Sequence, residues 1–142
     1  MKYANIKYYD VANGPGVRTS LFVSGCTHRC EGCFNEIAWD FNYGDEFNAS
    51  IIDVILDSVK EDHIAGITLL GGEPMEKENQ AELIKLLRQF KKLYPEKTVW
   101  CYTGYTYEED FIQGARAYTE VTKEFLNLTD VLVDGKFIIS LM

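Results

Sequence analysis

Three of the four cysteines crowd into one short stretch, Cys26-Thr-His-Arg-Cys30-Glu-Gly-Cys33. The C-x3-C-x2-C spacing lets three thiolates converge from a single loop, and thiolates are soft ligands that suit iron–sulfur clusters, zinc or copper(I). A cubane 4Fe–4S cluster usually takes four ligands. Three thiolates with no evident fourth would leave one iron open to bind a substrate, as the open position does in a catalytic zinc site.

A structural zinc site is the alternative interpretation of this loop, with His28 or a distant residue as the fourth ligand. Such sites usually pair two short cysteine knuckles, and the second knuckle is missing from the sequence. His28 lies between two of the cysteines, where it is badly placed to complete a tetrahedron. Buried thiols without a metal fit poorly, because Arg29 and Glu31 are poor core residues. The spacing therefore favours the iron–sulfur cluster.

A second motif, Gly71-Gly72-Glu73-Pro74, directly follows a run that is typical of a buried strand. Glycines let a ligand approach the backbone closely, and the Glu73 carboxylate would suit an ammonium group. Taken alone, the motif fits a turn with a solvated acid equally well. Phe34, just after the last cysteine, could stack on an aromatic base or belong to the core. The remaining cysteine, Cys101, lies in a predicted strand and reads as a small core residue.

The elements that must position these motifs alternate between strands and helices. The apolar patterns predict strands at 20–24, 64–70, 98–102 and 131–133, and helices at 48–62, 76–93 and 119–128. Ser50 with Asp53 resembles a capping box for the first helix. The alternation predicts an α/β fold with parallel strands, and four strands are too few for a closed eight-stranded barrel. We therefore expect an open or partial (β/α) barrel. The cysteine loop, the glycine pair and Thr103-Gly104-Tyr105 should meet at the carboxyl edge of its strands.

Composition sets the broad class of protein. The 142 residues are 46% hydrophobic and 25% charged, which predicts one globular domain over residues 1–142. A net charge of −8 argues against nucleic acid or an anionic membrane as a partner. The sequence contains no apolar run of spanning length and no apolar signal core near Met1. We expect a cytoplasmic protein, and in that reducing compartment a cysteine cluster indicates metal binding rather than disulfides.

The cysteine loop followed one strand later by Gly-Gly-Glu-Pro resembles the radical S-adenosylmethionine superfamily. Within it, further segments are similar to the activating proteins of anaerobic ribonucleoside-triphosphate reductases. These segments are Asn13-Gly14-Pro15-Gly16-Val17-Arg18, Phe22-Val23-Ser24-Gly25-Cys26, Glu31-Gly32-Cys33-Phe34-Asn35, Trp39, Trp100, Thr103-Gly104-Tyr105 and Val133-Asp134-Gly135-Lys136-Phe137. The resemblance covers essentially the whole chain. Members of that family usually continue beyond the position of Met142 through a further segment.

The resemblance implies a fold of the radical S-adenosylmethionine type and a reaction. Cys26, Cys30 and Cys33 would be the catalytic and metal-ligating residues of a 4Fe–4S cluster. The open iron would bind the amino and carboxylate groups of S-adenosylmethionine. One electron from a reduced flavodoxin or a similar donor would break the carbon–sulfur bond, giving methionine and a 5′-deoxyadenosyl radical. That radical would take a hydrogen atom from a glycine of the large reductase subunit.

The same resemblance implies the contacts of S-adenosylmethionine. Gly32, Cys33 and Phe34 would line its site, and Gly72 and Glu73 would receive the amino group of its methionine part. Two other functions remain open at this point. An activase of another glycyl-radical enzyme, of the formate-lyase type, would use the same chemistry on a different partner. A zinc-stabilised binding module would use the cysteine loop without catalysis.

Overall fold

The computed structural model describes residues 1–26, 40–134 and 138–141. Within these ranges the chain forms seven strands and four helices. In chain order they are β1 Lys2–Asp10, β2 Val17–Val23, β3 Asp45–Glu46, α1 Ala49–Ser58, β4 Ile64–Gly71, α2 Lys77–Leu93, β5 Thr98–Tyr102, α3 Tyr107–Asp110, α4 Thr122–Asn127, β6 Val131–Val133 and β7 Ile138–Ser140. None of the helices in the described ranges combines the length and the apolar character needed to cross a membrane.

The strands form one mixed sheet in the order β3-β1-β2-β4-β5-β6-β7. Strands β2, β4, β5 and β6 run parallel in its centre. At one side β1 pairs antiparallel with β2, and β3 pairs antiparallel with β1. At the other side β7 pairs antiparallel with β6. The expected open or partial barrel of parallel strands is therefore wrong, because antiparallel strands extend the parallel centre at both sides into a mixed seven-stranded sheet.

The predicted elements correspond to the parallel centre and its helices. Strands β5 and β6 have the predicted bounds, β2 begins earlier at Val17, and β4 extends to Gly71. The predicted capping box at the start of α1 is wrong. Asn48 caps this helix, and its side chain accepts a hydrogen bond from the N–H of Ile51, as short polar residues at this position commonly do.

A row of buried side chains crosses the centre of the sheet. Leu21 pairs with Leu69, Leu69 with Cys101, and Cys101 with Leu132. All four belong to the apolar cluster that also contains the buried stripe of α2, formed by Leu83, Leu86, Leu87 and Phe90. Each such leucine contributes about 1.5–3 kcal/mol by leaving water. The prediction that Cys101 is a core residue is confirmed.

Arg18 connects the parallel strands near their amino-terminal ends. Its fully buried guanidinium donates to the hydroxyls of Thr68 (2.9 Å) and Thr98 (2.9 Å) and to the carbonyls of Pro15 (3.2 Å), Ile67 (2.9 Å) and Thr98 (2.7 Å). Burial lowers its pKa to about 10, so it stays charged at neutral pH. One side chain from β2 thereby joins β4 and β5, which explains the arginine of the Asn13–Arg18 motif as a structural residue.

We predict that Arg18→Lys lowers the free energy of unfolding by about 2–4 kcal/mol, because a single ammonium cannot reach oxygens on both β4 and β5. Urea unfolding followed by circular dichroism measures the loss. Arg116→Lys is the matched control, since Arg116 pairs with Asp110 while 64% of its side chain is exposed, and such pairs contribute about 0–1 kcal/mol. Equal losses in the two variants would contradict this role of Arg18.

Candidate functional site

The carboxyl ends of the four parallel strands bring the chemical motifs to one edge of the sheet. Cys26 follows β2, the glycine pair ends β4, and Thr103-Gly104 follows β5. Since these strands are hydrogen-bonded neighbours, their exit loops lie side by side. The expectation that these motifs meet at one edge is confirmed for Cys26, the glycine pair and Thr103-Gly104. Four of the predicted site residues, Cys30, Gly32, Cys33 and Phe34, lie outside the described residues.

The segment that leads into Cys26 is held on several sides. The N–H of Ser24 donates to the carbonyl of Lys2 (3.1 Å), and its hydroxyl donates to the carbonyl of Tyr43 (2.6 Å). The carbonyl of Gly25 accepts from the N–H of Glu73 (2.8 Å). Cys26 itself is only 7% exposed. Its position at the sheet edge is therefore fixed by hydrogen bonds from the two preceding residues to three other parts of the chain.

Gly25 sits where no other residue fits well. Its φ of +98° is in the left-handed region, and an added Cβ would overlap the ring of Phe41. Phe41 belongs to the chain that returns after residue 39, so this contact joins the two ends of the segment that contains the cysteine motif. We call the group formed by Ser24, Gly25, Phe41 and Tyr43 the loop base. Close approach of an aromatic ring to the backbone explains the glycine before the first cysteine.

The Glu73 carboxylate joins the loops after β4 and β5. It is 1% exposed, and it accepts hydrogen bonds from the hydroxyl of Thr103 (2.7 Å) and from the N–H groups of Gly104 (2.6 Å) and Met75 (2.9 Å). The N–H of Thr103 in turn donates to the carbonyl of Val133 at the end of β6 (2.8 Å). Glu73 thus positions the edge of the sheet, a role that the sequence pattern did not indicate.

A cavity of about 280 Å³ opens between these loops. Its lining comprises Leu70, Gly71, Gly72, Tyr102, Thr103, Gly104 and Val133. The left-handed φ of the glycine pair belongs to Gly71 (+108°), where an added Cβ would run into the backbone of Val23. Gly72 donates its N–H to the carbonyl of Val23 (2.8 Å) and lines the cavity. The first glycine therefore allows the strands to approach closely, while the second forms part of the cavity wall.

Comparison with known proteins places this geometry in a family. Residues 12–142 match the 4Fe-4S single cluster domain family. The anaerobic ribonucleoside-triphosphate reductase-activating protein of Enterobacteria phage T4 is 37% identical over 137 residues, covering 96% of this chain and 81% of that protein. The proteins of the same name from Vibrio cholerae and Escherichia coli K12 are 38% and 36% identical over 140 residues; each alignment covers 97% of this chain, and it covers 85% and 86% of the two proteins respectively. The chain belongs to the anaerobic ribonucleoside-triphosphate reductase-activating protein family.

Family membership confirms the resemblance that the motifs indicated, and it brings with it a 4Fe–4S single cluster domain. Among residues 1–26, 40–134 and 138–141, no three His, Cys, Asp or Glu side chains are grouped so that they could hold a metal ion. The donor chemistry at the site nevertheless fits a cluster of this family. Cys26 has a thiol of the kind that can serve as a soft donor, and it lies at the sheet edge where Gly25 of the loop base is bonded to Glu73.

Cys101 differs from Cys26 in its surroundings. It is completely buried in β5. Burial raises the pKa of its thiol well above the ordinary value, and the negative charge of Glu73 raises it further. Because a metal ligand must be the thiolate, Cys101 is poorly suited to bind iron.

Two residues of the site, Asn79 and Phe41, do not belong to any motif in the sequence. Asn79, in the first turn of α2, is completely buried and bonds to both the Ser24 and the Glu73 carbonyls. Phe41 packs on Gly25 from the other end of the cysteine segment. Neither belongs to a spaced motif. The glycine at position 25 was the only local signal for the Phe41 contact, and no local signal marked Asn79.

We predict that Gly25→Ala destabilises this protein more than Gly114→Ala does. Gly114 also has a left-handed φ, of +87°, but an added Cβ there meets nothing within 4 Å. Its variant should lose about 1–2 kcal/mol from backbone strain alone, whereas Gly25→Ala should lose about 1–3 kcal/mol more because Phe41 must move. Urea unfolding of both variants tests this. Equal losses would show that the Phe41 contact does not constrain position 25.

Proposed function

We propose that this protein activates an anaerobic ribonucleoside-triphosphate reductase by generating a glycyl radical on its large subunit through reductive cleavage of S-adenosylmethionine. One observation carries the proposal. The N–H of Glu73 donates to the carbonyl of Gly25 (2.8 Å), so the residue before the first cysteine is bonded to the loop whose glycines line the cavity. This bond supports a cluster site next to a ligand site, in a chain that matches a 4Fe–4S single cluster domain family.

In this proposal Cys26, Cys30 and Cys33 are the three cluster ligands, and one iron is left for S-adenosylmethionine. A cluster bound by these residues would supply the one electron needed to cleave the carbon–sulfur bond, which would give methionine and a 5′-deoxyadenosyl radical able to take a hydrogen atom from the reductase glycine. The loop base holds Cys26 from both ends of the cysteine segment. Cys101 takes no part, because its thiol is buried in the core.

The rest of the site binds and orients S-adenosylmethionine. Gly32, Cys33 and Phe34 line it on the side of the cysteine loop. On the opposite side the backbone at Gly72, which lines the cavity, and the negative charge of Glu73 suit the methionine ammonium. Glu73 has a second task, since its bonds to Thr103 and Gly104 keep the cavity wall in place. Oriented contacts of this kind contribute to rate because little reorganisation is needed during the reaction.

The proposed partners follow from the chemistry. A flavodoxin-like protein delivers the electron, and the large reductase subunit presents its glycine. Neither nucleic acid nor a membrane is expected, given the net charge of −8, and we assign the reaction to the cytoplasm. We treat residues 1–142 as one radical S-adenosylmethionine domain. The cavity is lined by loops at the sheet edge, so insertion of the glycine segment of the partner would complete the exclusion of water.

The ligand assignment predicts a sharp contrast among the cysteines. After anaerobic reconstitution, Ala variants of Cys26, Cys30 and Cys33 should lose most of their iron, while Cys101→Ala should keep about four irons per chain. Iron analysis and the visible spectrum measure this. Loss of the cluster from a folded Cys101→Ala protein would refute the three-ligand assignment. A colourless wild-type protein that retains zinc instead would indicate the zinc-stabilised binding module.

Coupling to the partner predicts a difference in rate. Formation of 5′-deoxyadenosine should be faster when the anaerobic reductase subunit is present, and a glycyl radical should appear in that subunit by electron spin resonance, because the partner completes the enclosure. Free protein that cleaves S-adenosylmethionine equally fast, without producing a reductase radical, would contradict the activase assignment. A radical on a formate-lyase-type enzyme instead would redirect the assignment to that partner.

A further inference from the structure

The side chain of Asn79 bonds both halves of the proposed site. Asn79 is the third residue of α2, and it is completely buried. Its Nδ2 donates to the carbonyl of Ser24 at 3.0 Å and to the carbonyl of Glu73 at 2.9 Å. Ser24 lies two residues before Cys26, and Glu73 directly follows the glycine pair. A single amide therefore adds a side-chain bridge to the direct bond between Glu73 and Gly25, and it connects the loop base to the loop that lines the cavity.

The orientation of this amide is determined by its surroundings. Both atoms that contact Nδ2 are carbonyl oxygens, which accept but do not donate. A flipped amide would direct an oxygen at two oxygens. The Oδ1 atom of Asn79 is buried and has no hydrogen-bond partner within the part of the chain that the structure describes. A buried acceptor without a hydrogen-bond partner is unfavourable for folding. The amide at this position is therefore better explained by the two bonds that it donates than by a gain in stability.

The neighbouring amide provides a contrast. Gln80 is also completely buried, and its Nε2 donates to the carbonyls of Met75 (2.7 Å) and Ala117 (2.8 Å). Its Oε1 accepts from the hydroxyl of Thr122 (2.6 Å). These bonds join α2 to Met75, to Ala117 and to the first residue of α4, and they do not involve the loop base. Both adjacent amides donate to two carbonyls, but of the two only Asn79 connects to the residues that lead into Cys26.

We propose that Asn79 is a positioning residue for cleavage of S-adenosylmethionine, which holds the first cluster ligand in register with the glycine pair; this inference rests on the proposed function. The reaction would be sensitive to that register because Cys26 would hold the cluster, while the loop with Gly72 would contact the methionine part of the ligand. A displacement of the order of 1 Å between reacting groups costs about 100-fold in rate. Helix α2 is a suitable anchor, since its buried stripe packs in the central core.

The decisive variant is Asn79→Asp, which keeps the shape of the side chain but replaces the donor with an acceptor. With the anaerobically reconstituted full chain and the reductase subunit, we expect kcat for 5′-deoxyadenosine formation to fall about 10- to 100-fold while the iron content stays near that of the wild type. The change in the electron spin resonance spectrum of the reduced cluster on adding S-adenosylmethionine should also differ from the wild type. A purely structural role would not alter that spectrum.

Gln80→Met is the matched control, because it removes a buried amide of the same kind from the adjacent position. It should lower stability and leave both kcat and the spectral change near wild type. If Asn79→Asp does not fold, Asn79→Ser, which avoids the repulsion between oxygens, takes its place in the same comparison. If the wild type cleaves S-adenosylmethionine but the Asn79 and Gln80 variants show equal changes in kcat and in the spectrum, this inference alone is overturned. Wild-type protein that leaves S-adenosylmethionine intact overturns the proposed function and the inference together.

Discussion

The buried carboxylate of Glu73 is the group on which the geometry of the site depends. A carboxylate at 1% exposure is tolerable only if the protein replaces the water that it has lost. The replacement comes from donors on two loops, Thr103 and Gly104 after β5 and Met75 after β4. The bonds that satisfy the charge therefore also hold the cavity wall, since neither loop can move away without withdrawing donors from the carboxylate.

The two edges of the parallel strands have divided the tasks of the fold between them. At the amino-terminal edge the Arg18 guanidinium bonds to hydroxyls and carbonyls of β4 and β5, and its surroundings are fixed. At the carboxyl edge backbone groups, glycines and one carboxylate meet around a cavity. The row from Leu21 to Leu132 separates them. Because the amino-terminal edge supplies stability, the carboxyl edge can accommodate glycines and a buried charge.

The sequence predicts the parallel centre well because its strands are buried on both faces or nearly so, and so appear as continuous apolar runs. Ile64–Gly71 is an example. The antiparallel strands leave weaker patterns. Most of β1 is half-buried or exposed, and β7 has only three residues, of which Ile138 and Ser140 are exposed. Without these strands the alternation suggested a barrel, which the mixed sheet contradicts.

Only part of the candidate site could likewise be predicted from the sequence. Ligand spacing and glycine pairs are local patterns, so they can be read directly from the chain, and the meeting of their loops follows from parallel strand order. Asn79 bonds to a carbonyl 55 residues away, and Phe41 contacts Gly25 across the cysteine segment. Such contacts depend on the completed fold and leave no periodic trace in the sequence. Residues that position a site are for this reason harder to predict than those that carry its chemistry.

The loop base also affects the entropy of metal assembly. Because Gly25 and Phe41 are in contact, the ends of the cysteine segment are brought together by folding of the sheet rather than by the metal. The conformational entropy lost in closing a loop grows only as the logarithm of its length, and here that loss belongs to the folding of the polypeptide. Iron that arrives afterwards does not have to bring these two ends together. The length of the segment between Cys33 and Asp40 is then a weak determinant of metal affinity, whereas the contact at its base is a strong one.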